Sequence, residues 1–251
     1  MFAYAELRRF FEELRRHADV FSFAGAIEAG RVGTPRTAIL RHDVDIDVEA
    51  AVAMAEVEAG QGVRSTFFFL TGCDTYNLAS AVNRRHLRGL ADDGFEVALH
   101  FDPLLYPELG NDDLLPAVRK EAEWLGDIAG RPVKAISLHN PSQHGRYPAF
   151  EGFINAYDPQ FFDPDRYISD SCMGFRDKDP FEFVRKAEEG QIQVLLHPFH
   201  YSEGGGGYPT LYAAFLERFA DGIDATMQVN RTYKAQMAGR PLWENVREDA
   251  G

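Results

Sequence analysis

Five short apolar runs, far apart in the chain, each end on a histidine or an aspartate. Thr37–Leu40 runs into Arg41-His42-Asp43-Val44-Asp45, and Val97–Leu99 into His100-Phe101-Asp102. Ala135–Leu138 runs into His139-Asn140, Tyr167–Ser169 into Asp170, and Val194–Leu196 into His197. Short apolar stretches separated by helix-length segments read as buried parallel strands. In a barrel of such strands the chemistry gathers at the carboxyl ends. The shared ending therefore predicts one pocket. An open sheet concentrates its site at a single switch point, so a site fed by many strands favours a closed or nearly closed barrel.

The segments between the runs fit this scheme. A first helix is expected over residues 3–18, and strands over 37–42, 65–70, 96–99, 133–138, 167–170 and 191–196. Asp47 is placed to cap a helix ending near Gly60, and helices are also expected over 81–91, from Asn111 or Asp112 to Gly130, and over 180–189. Residues 140–166 read as a long irregular loop, which inside a compact domain is usually functional. Gly204–Gly207 reads as a flexible hinge or lid, followed by one long helix over 209–237. The alternation of strands and helices predicts an α/β protein, a distorted (β/α)7-type barrel. With 251 residues and no shift of composition, it is expected to be one domain, 1–251.

A net charge of −13 argues against a nucleic-acid partner, because little of the surface offsets phosphate repulsion. No stretch approaches the roughly 20 apolar residues of a bilayer span. The amino terminus lacks a signal-peptide core, so the expected location is cytoplasmic. Cys73 and Cys172 are too few for a disulfide framework and flank the expected pocket.

Asp43 and Asp45 lie two residues apart at a strand end, so one carboxylate can ligate a cation while the other takes a proton. Either Asp45 or Asp47 can also act as a helix cap. His42 alternates away from Asp43 and is expected to pack behind it. His100 is a plausible imidazole ligand. Asp102 either contacts substrate or caps the turn before Pro103. His139, stiffened by Pro141, is a candidate ligand, substrate contact or loop anchor, and Asn140 beside it is a candidate substrate contact. His197 is placed to act as a general acid, with His200 at the pocket rim. Asp170 and Arg176 are expected to pair beside the pocket. Tyr147, Phe199 and Tyr201 are candidate sugar-stacking rings. His17, His86 and His144 are expected at the surface. An aspartate with imidazoles and an open position is the pattern of a catalytic zinc site, and other divalent ions also suit it.

These motifs resemble those of the polysaccharide deacetylases of the NodB-homology, carbohydrate esterase 4 family, over residues 37–200. Arg41-His42-Asp43-Val44-Asp45 resembles the first family motif in an Asp-x-Asp form. Gly94–His100 resembles its Gly-His-Glu-Ile-Gly-x-His stretch, and Leu195-Leu196-His197-Pro198 its last motif. Leu138–Ser142 lies where the family has Arg-x-Pro. The resemblance implies a distorted barrel that removes an acyl group from a sugar with a divalent metal, most readily Zn²⁺, in polysaccharide biosynthesis. It implies Asp43 as base, Asp45 and His100 as metal ligands, and His197 as acid. The second histidine of the family's His-x-x-x-His falls on Leu104, and His139 is expected to replace it as a ligand. The expected function is an N- or O-acyl hydrolase of a sugar or sugar nucleotide. The alternative is a carbohydrate-binding homologue that has lost its metal. An amidohydrolase-type enzyme is disfavoured, because that class opens with His-x-His where this chain has His-Asp-Val-Asp.

Overall fold

The computed structural model describes residues 1–249. In chain order the elements are α1 (Tyr4–His17), β1 (Asp19–Phe21), α2 (Phe23–Glu28), β2 (Thr37–Val44), α3 (Val48–Gly60) and β3 (Thr66–Leu70). These are followed by α4 (Ala81–Asp92), β4 (Glu96–Phe101), α5 (Leu115–Ala129), β5 (Ala135–Leu138), α6 (Pro141–His144) and β6 (Ile154–Asn155). Then come β7 (Tyr167–Ser169), α7 (Pro180–Phe183) and β8 (Ile192–Leu196). Every strand pair is parallel. The strand order is β6-β5-β4-β3-β2-β8-β7, with β1 beside the start of β2. The result is a curved half-barrel wrapped by helices, the distorted (β/α) barrel that the strand pattern implied.

No ladder joins β6 to β7 among the described residues. Side chains fasten this seam instead. Gln193 Nε2, from β8, donates to the carbonyls of Ala156 and Phe161 at 3.1 Å each.

Alternation along the strands sorts the apolar residues into two layers. Leu40, Phe67 and Leu99 face outward and pack with Phe10, Leu14, Met54, Leu87 and Leu125 of the surrounding helices. Ile39, Phe68, Ala98 and Ala135 face inward and join Phe23 and Ala26 of α2. The first turn of α2 is fixed at the amino ends of β3 and β4. Phe23 N donates to Thr66 Oγ1 at 3.1 Å and Ala24 N to Glu96 Oε2 at 3.0 Å. Phe23 meets Phe68 and Phe161 edge-on, with centroids 5.7 and 5.1 Å away. Helix α2 thus plugs the end of the barrel opposite the strand carboxyl ends.

Neither β1 nor α2 follows from the sequence pattern. Strand β1 has three residues, each at least partly exposed, and α2 has six, too few for an apolar period to register. Residues 140–166 are likewise more ordered than expected and contain α6, β6 and a 3₁₀ turn at Pro164–Arg166. The expected helix over 180–189 continues past Phe183 only as 3₁₀ turns.

Backbone contacts divide the chain into two compact units, Met1–Gly205 and Gly206–Gly251, meeting within the glycine run. The second unit contains α8 (Tyr208–Met227), α9 (Arg231–Met237) and α10 (Leu242–Asp249). The single helix expected over 209–237 is two. Asn230 Oδ1 accepts from Thr232 N and Tyr233 N at 2.9 and 3.1 Å, which caps a new helix in place of continuing the old one. No helix among the described residues is long and apolar enough to cross a membrane.

Candidate functional site

Inward-facing positions follow a period of two on each strand, and this phase selects the site residues. Arg41 and Asp43 lie on β2 with Asp45 just beyond it. His100 lies on β4, and His139 and His197 directly follow β5 and β8. His42 has the opposite phase, as expected. It is fully buried, paired through Nε2 with Glu58 of α3, and its Nδ1 lies 3.3 Å from Leu196 O. Ser65 Oγ donates to the other Glu58 oxygen at 2.7 Å. Neither Glu58 nor this tie across the back of the site was evident from spacing.

Asp45, His100 and His139 converge. Asp45 Oδ1 lies 3.3 Å from His100 Nε2 and 3.4 Å from His139 Nδ1, and the two nitrogens are 3.1 Å apart. A tetrahedral ion with bonds of about 2.0–2.2 Å holds its ligand atoms about 3.3–3.6 Å apart. The observed triangle is close to such a face. Asp45 Oδ1 is buried and accepts no hydrogen bond, which leaves it free to act as a ligand atom. The residues therefore fit a divalent cation. Burial alone would raise the Asp45 pKa, but the nitrogens of His100 and His139 and the charge of His197 hold it well below the carboxylate range. Burial would lower the His139 pKa, and the close Asp45, with the charges of Asp102 and Asp43, raises it.

Asp43 and His197 flank the triad. Asp43 Oδ2 lies 3.7 Å from His100 Nε2, and His197 Nε2 lies 3.8 Å from Asp45 Oδ2. Each is fixed from behind. Arg41, fully buried beneath the site, donates from Nη2 to Asp43 Oδ2 at 2.9 Å and to Tyr157 OH at 3.1 Å. Its guanidinium lies 5.0 Å from the Tyr157 ring and 5.6 Å from the Phe68 ring. Burial opposes its charge, but Asp43, Tyr157 and Tyr167 outweigh this and raise its pKa.

His197 Nδ1 lies 2.6 Å from Asp170 Oδ1, and Asp170 also accepts from the His197 backbone N–H at 3.1 Å. His200 Nδ1 is 3.4 Å from the other Asp170 oxygen. Burial lowers the His197 pKa, but the charge and hydrogen bond of Asp170, aided by Asp45 and Asp43, push it up to about 9. Burial would raise Asp170, and His197, then His200, holds it below the usual carboxylate range.

Several sequence expectations are corrected by this geometry. Asp170 is fully buried and serves the two histidines, so it pairs with them and not with a rim arginine. Arg176 is exposed and lines the mouth of the cavity. His200, Phe199 and Tyr201 are buried, with Tyr201 packed 5.5 Å from Phe2, so none of them forms the rim. Asp102 accepts from Leu104 N at 2.9 Å, which is the turn-capping alternative. Asn140 reaches His139 Nε2 at 2.8 Å from a left-handed backbone. His144 is not an isolated surface residue, since its Nε2 lies 2.9 Å from His139 O. His17 pairs with Glu13 and Glu188. Cys73 and Cys172 are both free thiols, and Cys73 Sγ lies 3.4 Å from Asp45 O.

Asp45 and His100 of the triad, with Asp43 and His197, line a cavity of about 380 Å³. Tyr147, Tyr157, Phe162 and Tyr167 line it as a chain of rings, successive centroids 5.9, 5.3 and 4.9 Å apart. Of these, Tyr147 was expected from sequence. The others lie in or just after the 140–166 segment, whose length was the only signal.

No family model and no curated sequence matches the chain. Several similar solved structures carry the name of carbohydrate esterase family 4, whose motifs this chain resembles, and others are deacetylases by name. A chitin deacetylase from Colletotrichum lindemuthianum is 16% identical, with 74% of this chain and 83% of that one covered, at a TM-score of 0.46. A family 4 carbohydrate esterase from Streptomyces lividans is 16% identical, with 70% and 82% covered, at 0.41. A carbohydrate esterase 4 pseudoenzyme from Bacillus anthracis is 16% identical at 0.38, and the match takes in 72% of this chain but only 60% of that one.

Proposed function

We propose that the protein is a metal-dependent hydrolase that removes an N- or O-acyl group from a sugar or sugar nucleotide. The carrying observation is the triangle of Asp45 Oδ1, His100 Nε2 and His139 Nδ1, with sides of 3.1–3.4 Å and an otherwise unbonded buried carboxylate oxygen. These three residues would hold the ion, with Zn²⁺ the best fit to an Asp/His/His set. When bound, it supplies Lewis acidity toward an acyl oxygen and acidifies water near neutral pH.

Asp43 is the proton acceptor. Its position beside the triad, fixed by Arg41, suits it to take the proton of an attacking water. His197 is the proton donor to the leaving amine or alkoxide. With its pKa near 9 it carries that proton at neutral pH, and Asp170 fixes Nε2 toward the reacting group. Asn140 Nδ2 lies 2.8 Å from His139 Nε2; with the amide rotated so that its oxygen takes that place, it would accept from Nε2–H and leave Nδ1 bare as a ligand. The ring-lined wall suits the faces of a sugar.

Metal content and deacylation of N-acetylated and O-acetylated sugars test this reading. Wild-type protein is expected to bind one Zn²⁺ and to release acyl groups. Asp45→Asn and His139→Gln are each expected to lower zinc affinity at least about 100-fold and to abolish turnover. Zinc binding unchanged in both variants would overturn the metal assignment. Zinc bound without any turnover would leave a carbohydrate-binding homologue as the better reading.

A further inference from the structure

The floor of the cavity is acidic and its mouth is basic. Among the described residues that line it, the carboxylates are Asp43 and Asp45, both at the triad, while Arg176 and Lys178 lie on the segment that follows β7. Asp177 and Asp179, exposed beside them, do not line the cavity, so the charged side chains that this segment presents to it are both cations, in a chain of net charge −13. The same segment holds four of the seven non-glycine residues with positive φ in the described chain: Cys172 at 60°, Met173 at 54°, Arg176 at 49° and Asp177 at 62°. Glycine would occupy these positions without strain. Strain of this kind persists at ligand clamps, where the side chain is worth more than the relief. Arg176 keeps a cation at a position whose backbone favours glycine. Lys178 is braced by donating from Nζ to Tyr167 O at 3.0 Å, which uses one of its three donors.

We infer that residues 171–178 recognise an anionic group on the substrate, so that the acylated sugar carries a phosphate or a carboxylate that meets Arg176 and Lys178. This rests on the deacylase reading for the sugar, but the anion preference is separable from hydrolysis. The test is binding, by calorimetry, to metal-free and zinc-loaded protein. The probes are N-acetylglucosamine, its 1-phosphate, its uridine diphosphate ester and the corresponding N-acetylated hexosaminuronate. At least one class of anionic probe is expected to bind roughly 10- to 100-fold tighter than the neutral sugar, and less tightly as salt rises. Preference for the phosphates or for the uronate identifies the source of the charge. In an R176Q/K178Q variant the preference is expected to vanish, while an R84Q control, altered on α4, retains it. Both replaced residues are exposed, and circular dichroism verifies the fold of the variant. Equal binding of neutral and anionic probes, no binding of any anionic probe, or a preference that survives R176Q/K178Q would overturn the inference. If the deacylase reading fails but this one holds, Asp45→Asn keeps the anion preference and no probe is hydrolysed by any variant.

Discussion

Replacing Asp170 by asparagine removes a charge while keeping the side chain's size and one acceptor oxygen, so it isolates the electrostatic part of the Asp170–His197 pair. In the native protein His197 rises from 6.5 to about 9 against the opposing pull of burial. At 1.36 kcal/mol per unit, that rise corresponds to about 3 kcal/mol of preference for the charged ring. With Asp170 neutral, burial remains and only Asp45 and Asp43 still favour the imidazolium. The His197 pKa is therefore expected to fall by about two units or more in Asp170→Asn. The assay is an NMR titration of the imidazole Cε1–H in metal-free protein from about pH 5 to 10. His197 still titrating near 9 in the variant would refute Asp170 as the cause.

The same pair fixes the sign of a stability change. His197 has a raised folded pKa, so its contribution is complete below about 6.5 and is lost as pH climbs through about 9. Asp170 has a lowered folded pKa, so its contribution is complete above about 4 and is lost as pH falls through that folded value. Between these limits both contributions are present. Urea unfolding is thus expected to find Asp170→Asn several kcal/mol less stable at about pH 6, with the gap narrowing by up to about 3 kcal/mol near pH 10. An equal gap at both pH values would contradict the pairing.

Two further outcomes test other parts of the architecture. Arg41→Met leaves Asp43 buried without its partner and is expected to cost about 3–5 kcal/mol by urea unfolding; adding Asp43→Asn should cost much less than the sum of the single variants, and additivity would show the pair to be uncoupled. Phe23→Ala empties the plug of the barrel and is expected to cost about 3–5 kcal/mol without changing zinc affinity, so a loss of zinc binding on this substitution would mean that the two ends of the barrel are not independent.

Much of the site was legible because barrel strands obey a strict alternation. Once a run such as Val97–His100 is read as a strand, its terminal histidine and the inward partners two and four residues earlier share a face. The same reasoning correctly turned His42 away from Asp43. Alternation does not reveal what lies behind a residue. Arg41 is in phase with Asp43 and within the very motif that was read, yet its role comes from a ring contributed by Tyr157, over a hundred residues away. Asp170 was identified as a strand-end acid, but a strand end carries no information on depth, and complete burial is what commits it to His197 and His200. Elements of two to six residues, such as β6 and α2, are fixed by what they pack against and leave no period to find.

The position of the third ligand candidate follows from the parallel geometry. The family motif that this chain resembles takes a second histidine four residues after the first, where this chain has Leu104. Here that side chain is 55% exposed, on a turn that has already left the barrel mouth. The next strand offers an equivalent route. Register pairs His100 with Ser137 on β5, so the next inward residue, His139, ends about one step beyond His100 on the neighbouring strand. Its backbone N–H donates to Phe101 O at 2.8 Å, which extends the strand pairing to the residue that faces Asp45. A ligand on a paired strand end has fewer ways to stray than one on an exposed turn. With His139 held on the paired neighbouring strand, Asp45 Oδ1, His100 Nε2 and His139 Nδ1 converge on one point.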